Sequence, residues 1–212
     1  MIQPNVYWTL ETPLVTIIGL YTNVTEGGKL DDQQIAWFES KLTSAPLDKA
    51  LIVTMHHTIY SAATRPSGSR YMQQVLDKAA QKAGRMPDAV FAGHVHNYQR
   101  FTRSVSNGEV PYIVAATGGY PNLHAMRKDN GKSLHTPYRV PETDVTLESY
   151  CDDRHGYMRM EVTAQMFKGE YYTVPQLKEP SSNPAELRDS FTLDLQTHSV
   201  SSHSAGTEHH VE

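Results

Sequence analysis

The sequence predicts an α/β domain in which helices cover a largely buried sheet. Apolar strand-like runs alternate with amphipathic helix-like segments between residues 14 and 93, which is the order of a layered α/β fold. The strand-like runs are almost continuously apolar, as in strands that are buried on both faces. The 212 residues, 39% of them apolar and 20% charged, suit one packed domain.

Five elements make up this alternating part of the chain. The first helix has apolar residues at helical spacing and begins at Asp31 or Asp32 as its N-cap. The second helix has a similar apolar stripe and ends at Gly84 as its C-cap. The expected order is strand 14–21, helix 30–42, strand 50–55, helix 69–84 and strand 88–93.

The pattern changes after residue 97. Two strands are expected at 98–105 and 110–117, joined by the turn SNGE, and three more after residue 156, the last at 189–195. The segment between Gly118 and Gly156 has no periodicity, which is typical of a functional or disordered loop. The Ser-rich segment 198–212 carries four histidines and predicts a disordered tail, so the domain itself is expected at 1–197.

Composition excludes several function classes. The formal net charge is -4 with no long basic run, so we expect neither nucleic acid nor an anionic membrane as a partner. The N-terminal stretch has no basic flank and no long apolar run, so it predicts neither a signal peptide nor a transmembrane span, and the compartment stays open. The lone Cys151 cannot form an internal disulfide.

Histidines follow two of the predicted strands. His56 and His57 come directly after strand 50–55, and His94 and His96 follow strand 88–93. Because ligand sites form at the carboxyl ends of parallel strands, these imidazoles are expected to converge if the strands are neighbours. Val95 lets the two flanking rings point the same way. A metal site is the favoured interpretation, and satisfied core histidines are the alternative. Neutral imidazole suits zinc, iron and manganese alike.

Two motifs resemble a known family. GHVHNYQR, together with the upstream IVTMHHTIYS, resembles the C-terminal half of calcineurin-like metallophosphoesterases, in particular the purple acid phosphatase-like branch. The resemblance covers residues 5–120 and, more weakly, the strands to 195. It implies a partial β-sandwich flanked by helices, without the N-terminal half. It also implies a dinuclear centre of iron, zinc or manganese that binds a phosphate ester and activates a hydroxide to attack phosphorus.

The resemblance also implies roles for individual residues. His56 and His94 would bind one metal, and His96 would bind the other. His124 is a candidate contact to the phosphate or the leaving group. Arg65 stands where the family has a phosphate-binding histidine, and its fork of donors could contact an anion; a solvated loop arginine is the alternative.

The carboxylates of the family's first half are missing from the sequence. The family supplies an Asp-x-His, a Gly-Asp whose aspartate bridges the metals, and a Gly-Asn-His. This chain has thirteen glycines, none followed by aspartate, and no Asn-His pair. Its only Asp-x-His, from Asp153 to His155, follows the Gly-His-x-His motif and predicts a turn. Three imidazoles can hold one metal but supply no bridge between two.

Two functions therefore remain as alternatives. The first is a metal-dependent phosphoesterase present as an incomplete domain. The second is a truncated, non-catalytic relative that acts as a metal-binding or interaction scaffold. An incomplete sandwich would expose apolar faces, which predicts association with the missing N-terminal half or self-association.

Overall fold

The computed structural model describes residues 6–24 and 28–203, which form three layers. Two helices pack on one face of a central eight-stranded sheet, and a four-stranded sheet packs on the other face. The helices are α1 (Asp32–Ser44) and α2 (Arg70–Ala83). The strands are β1 (Trp8–Glu11), β2 (Val15–Gly19), β3 (Ala50–Met55), β4 (Ala89–Ala92), β5 (Tyr98–Val105), β6 (Gly108–Ala115), β7 (Lys128–Asp129), β8 (Lys132–Ser133), β9 (Tyr138–Arg139), β10 (Val145–Cys151), β11 (Gly156–Val162), β12 (Met166–Thr173), β13 (Glu186–Asp194) and β14 (Val200–His203).

The central sheet has the strand order β1-β2-β3-β4-β6-β5-β10-β9. Its middle strands β2, β3, β4 and β6 run parallel, whereas the outer strands pair antiparallel. The second sheet, β11-β12-β13-β14, is antiparallel throughout, and β7 and β8 form a small separate ribbon. The predicted α/β class is confirmed. The parallel topology brings the carboxyl ends of four strands to one edge of the sheet.

Local signals set the helix ends as predicted. The Asp31 carboxylate accepts a hydrogen bond from the backbone N–H of Gln34 at 2.7 Å and caps α1. Gly84 follows α2 with φ 67°, a left-handed conformation that glycine adopts without a Cβ penalty. Helix α2 buries the apolar stripe that its periodicity predicts, which includes Met72, Val75 and Leu76. No helix among the described residues is long and apolar enough to cross a membrane.

A buried ion pair joins the two sheets. Arg100 on β5 donates to both carboxylate oxygens of Asp189 on β13, at 2.7 and 3.0 Å, and Arg100 is only 1% exposed. Tyr98 donates to the same carboxylate at 2.6 Å, and its ring stacks on Tyr171 at a centroid distance of 3.9 Å. The guanidinium also lies over the Phe191 ring. Tyr98 and Arg100, which follow the histidine motif, therefore serve the packing between the sheets.

Two predicted irregular segments contain strands. The loop expected between Gly118 and Gly156 includes β10, which pairs with β5 in the central sheet. A register shift between Leu147 and Ser149 interrupts its alternation, which hides the strand pattern in the sequence. The tail expected at 198–212 begins with ordered residues, because β14 pairs with β13 through its backbone. The rest of that tail, 204–212, lies outside the described residues.

The inter-sheet ion pair gives a stability prediction. Replacing Asp189 with alanine leaves the Arg100 guanidinium buried without a counter-charge, and we expect a loss of about 3–5 kcal/mol in the free energy of unfolding. The double variant Arg100→Met/Asp189→Leu should recover most of this loss. Glu186→Ala, at an exposed position of the same strand, should change stability by less than about 0.5 kcal/mol. Urea unfolding followed by circular dichroism measures all three, and equal losses in the two alanine variants would contradict the assignment.

Candidate functional site

Five histidines gather at the edge where the parallel strands end. Two follow β3, two follow the neighbouring strand β4, and one lies in the segment after β6. The residues are His56, His57, His94, His96 and His124. The convergence expected from the sequence is therefore present, since β3 and β4 are parallel neighbours.

Three of these rings form one contact group. The Nε2 atom of His56 and the Nδ1 atom of His94 are 3.1 Å apart. The ring of His57 lies 4.3 Å from that of His94 and 5.1 Å from that of His56, measured between centroids. His56 is exposed to solvent, and the other two rings are half-buried. The group is open on one side, so a ligand can reach the facing nitrogens.

The remaining two histidines are stacked beside this group. The His96 and His124 rings are 4.4 Å apart and 21° from parallel, and Tyr120 covers His96 at 4.2 Å. The backbone N–H of His96 donates to Nδ1 of His124 at 3.1 Å, so the neutral His124 ring carries its proton on Nε2. The Nδ1 atom of His96 is buried and has no hydrogen-bond partner among the described residues.

Tight turns after β4 aim these side chains. Gly93 donates its N–H to the carbonyl of His56 at 3.0 Å, which ties the two histidine segments together. The N–H groups of Val95 and Asn97 each donate to the carbonyl two residues earlier at 2.7 Å. His94, at the centre of the first of these turns, has φ 66°, a left-handed backbone that non-glycine residues adopt at a cost of about 1–3 kcal/mol. The surrounding structure holds this strained residue where its ring meets His56.

Thr22, in the segment after β2, fixes the histidines that follow β3. It is fully buried, and its hydroxyl accepts hydrogen bonds from the backbone N–H groups of His56 at 3.1 Å and His57 at 2.9 Å. The same oxygen lies 3.3 Å from Nδ1 of His57. Thr22 could not be predicted from the sequence, because a hydrogen bond between residues 34 positions apart produces no pattern in the local sequence.

A second buried polar chain fixes His124. Gln99 accepts the N–H of Ala62 at 2.7 Å and donates to the side chain of Asn97 at 2.8 Å. Asn97 in turn donates to the carbonyl of His124 at 2.8 Å, and the N–H of His124 donates to the carbonyl of His96 at 2.8 Å. Asn97 and Gln99 are fully buried. They lie within the histidine motif and alternate with Tyr98 and Arg100, which face the second sheet.

The cluster favours neutral imidazoles. Burial and then the neighbouring rings, His57 first, lower the pKa of His94 to about 4. Burial is also the largest cause that lowers the pKa of His56, His57 and His124. The charges that add to this lowering belong to other histidines of the cluster. Neutral imidazole is the form that binds a metal ion.

The donor set fits one divalent cation better than a bridged pair. Two nitrogens that share a cation at about 2.0–2.1 Å stand roughly 2.9–3.4 Å apart in octahedral or tetrahedral geometry. The 3.1 Å between His56 Nε2 and His94 Nδ1 lies in that range. Within the described part of the chain, however, no three His, Cys, Asp or Glu side chains already stand in a metal-binding arrangement. Among the described residues, no carboxylate is a cause of the lowered pKa values of the cluster.

Two other residues from the sequence analysis lie outside the ring contacts. Arg65 is exposed, and no described hydrogen bond or ion pair joins its side chain to the cluster, so its anion contact stays a prediction. His155 lies in the turn after β10 and its Nε2 atom is 2.9 Å from the carbonyl of Tyr120. Asp152, in the same turn, accepts the N–H of Met126 at 2.8 Å. This turn braces the segment that carries Tyr120 and His124.

A cavity among the described residues lies elsewhere. It has a volume of about 470 Å³ and is lined by residues at the amino ends of β3, β4 and β6, among them Ala50, Asp88 and Glu109. That position is the opposite edge of the sheet from the histidines. We place the candidate site at the cluster, because converging titratable side chains, rather than cavity size, carry the chemistry.

Comparisons with known proteins point to one family. No family model matches the chain. The chain is 28% identical to "Probable purple acid phosphatase 20" of Arabidopsis thaliana over 74% of this chain and 36% of that protein. It superposes on purple acid phosphatase PPD1 from yellow lupin (Lupinus luteus) seeds with a TM-score of 0.62 and 18% identity, over 89% of this chain and 32% of that one. GAP50 of Plasmodium follows at a TM-score of 0.47 and 17% identity, over 96% of this chain and 55% of that one, a likeness too weak to define a fold.

The fold and the sequence similarity agree with each other. The chain shares the fold of a purple acid phosphatase over 89% of its length, and its predicted resemblance to calcineurin-like metallophosphoesterases is confirmed. Within that class it is similar to the purple acid phosphatase branch. The chain spans about a third of the length of both matched phosphatases, 36% of one and 32% of the other.

The role of Thr22 can be tested with a matched pair of substitutions. Thr22→Val keeps the shape but removes the acceptor for two partly buried backbone N–H groups, so we expect a loss of about 1–3 kcal/mol in the free energy of unfolding. Thr16→Val is the control, because the buried Thr16 hydroxyl has no hydrogen-bond partner in the described part of the chain. Urea unfolding measures both variants, and Thr16→Val should have the same free energy of unfolding as wild type or a higher one. A loss of equal size at Thr16 would contradict the assignment.

Proposed function

We propose that this chain contributes the histidine ligands of a metal-dependent phosphoesterase that hydrolyses phosphate esters. The observation that carries the proposal is the pair of facing nitrogens, His56 Nε2 and His94 Nδ1, 3.1 Å apart at the carboxyl ends of neighbouring parallel strands. The similarity to purple acid phosphatases supports the reaction class, and the neutral imidazoles support the ligand role.

The proposed ligand roles follow the contacts. His56 and His94 would hold one cation, and His96, whose buried Nδ1 has no partner in the described residues, would serve a second one in the complete site. A bound divalent cation supplies Lewis-acid chemistry toward a phosphoryl oxygen. Iron, zinc and manganese all accept imidazole, so the donor set leaves the metal open. The described residues would hold one cation, because a second one needs a shared anionic oxygen and no ion pair joins a described carboxylate to these histidines.

The proposed phosphate contacts are His124 and Arg65. His124 keeps Nδ1 occupied by the backbone N–H of His96, so its Nε2–H can donate to a phosphate or leaving-group oxygen. Arg65 belongs to the segment after β3, which is joined to the His124 segment by two backbone hydrogen bonds. Thr64 donates to the carbonyl of Ala125, and Arg127 donates to that of Ala62, each at 2.9 Å. The two candidate contacts therefore lie on segments that are fixed to each other.

One observation favours the second candidate function. The described residues supply imidazoles but no carboxylate to the cluster, and a bridged dinuclear centre needs shared anionic oxygens. A cluster of imidazoles without carboxylates would suit a non-catalytic relative. Such a relative would bind one cation without turnover and act as a metal-binding or interaction scaffold. The two candidates differ in turnover, so a single preparation separates them.

Metal titration and an activity assay form the test. Isothermal titration of the metal-free chain with zinc or manganese should give one cation per chain. His94→Ala removes one facing nitrogen, and we expect affinity to fall by about 100-fold or more. Turnover of a chromogenic phosphate ester by the loaded chain, lost in His94→Ala, would support the phosphoesterase.

The control is His135→Ala, at an exposed histidine outside the cluster. It should keep wild-type affinity, because His135 shares no ring contact with the five histidines. Binding without turnover would favour the scaffold. Equal affinity in His94→Ala and wild type would contradict both the phosphoesterase and the metal-binding scaffold, since each of them uses the facing nitrogens.

A further inference from the structure

Strand β11 (Gly156–Val162) forms a long open edge of the second sheet. It pairs with β12 residue by residue, from Gly156 opposite Thr173 to Val162 opposite Phe167, without a bulge. Within residues 6–24 and 28–203, no strand pairs with its other side. The strand has seven residues and neither a proline nor a bulge that would interrupt a second pairing. Its outward N–H and C=O groups are a template for another strand.

The inner face of β11 is incompletely covered. Met158 and Val162 pack against the core between the sheets. Because side chains alternate along a strand, Met160 lies on the same face, yet it is 47% exposed. The open edge therefore carries an apolar side chain directed toward the core side but left in contact with solvent.

The outer face of β11 carries one charge of each sign beside this methionine. Arg159 and Glu161 flank Met160, and their side chains are 62% and 52% exposed. Arg159 also lies 3.4 Å from Glu170 on β12. The sequence Arg-Met-Glu thus places opposite charges at equal distances on either side of Met160, a pattern that complements itself when the strand is reversed.

We propose that β11 pairs antiparallel with β11 of a second copy of this chain, about a two-fold axis at Met160. In this register Arg159 lies opposite Glu161 of the second copy, twice in the dimer, and Met158 lies opposite Val162. The two four-stranded sheets become one continuous eight-stranded sheet, as in strand addition to an open edge. The interface uses the same patch on both copies, as a two-fold dimer requires.

Charge selects this register over its neighbours. Centring the axis on Arg159 places arginine opposite arginine, and centring it on Glu161 places glutamate opposite glutamate. Like charges directly opposite each other destabilise a strand pair, whereas opposite charges stabilise it. A slip by one residue would place Arg159 opposite Met160, on the wrong face of the sheet. The self-complementary charges are the reason to assign a second copy rather than an unrelated strand.

Sedimentation velocity over a concentration series of the full chain tests the proposal. Wild type should show a monomer–dimer equilibrium. Glu161→Arg places arginine opposite arginine at two positions, so we expect a dimer about tenfold weaker or more. Arg159→Glu should do the same. The double variant Arg159→Glu/Glu161→Arg restores opposite charges in this register and should restore the dimer.

The matched control is Glu186→Arg. Glu186 and Arg188 form a comparable exposed pair two residues apart, but on β13, which β12 separates from the β11 edge. This substitution should leave the dimer unchanged, and circular dichroism melts of every variant check that it folds. A wild-type chain that is monomeric at all concentrations would overturn the proposal. So would a dimer that survives Glu161→Arg, that weakens equally in Glu186→Arg, or that the double variant fails to restore.

Discussion

The buried pair between Arg100 and Asp189 is the constraint on which the arrangement of this protein depends. It fixes β5 of the central sheet to β13 of the second sheet, with Tyr98 on the same carboxylate. Strand β5 begins two residues after His96, so the residues that clamp the sheets also fix where the histidine turn starts. A guanidinium that is 1% exposed has to keep its partner, because an uncompensated buried charge is far more costly than a lost surface pair.

Successive side chains at the start of β5 point to opposite faces of the central sheet and make different contacts there. Tyr98 and Arg100 point between the sheets, whereas Asn97 and Gln99 form the polar chain that holds the His124 segment. Histidines from three strand ends then crowd together, and their burial favours the neutral form. The result is a set of nitrogen donors with a firm backbone support. Within the described residues, this set contains no carboxylate. Nitrogen donors alone could hold one cation, but a bridged dinuclear centre for ester hydrolysis also needs shared anionic oxygens.

The sequence predicted those features that leave a local pattern. Strands 50–55 and 98–105, the cap at Asp31 and the turn at Gly84 are where periodicity and capping chemistry placed them. Long-range features were missed: Thr22 reaches His56 and His57 through hydrogen bonds that no spacing indicates. The sequence predicts a loop at β10 because the bulge breaks the alternation of that strand. It predicts a disordered tail at β14 because that strand is held by backbone pairing rather than by apolar side chains.

The histidines at the ends of β3 and β4 are proposed to form a cation site. Anomalous diffraction from crystals grown with zinc would locate a cation bound there. The predicted result is one strong peak between Nε2 of His56 and Nδ1 of His94, with both rings turned toward it. Peaks only at other histidines of the chain, with His56 Nε2 and His94 Nδ1 still in direct contact, would contradict it.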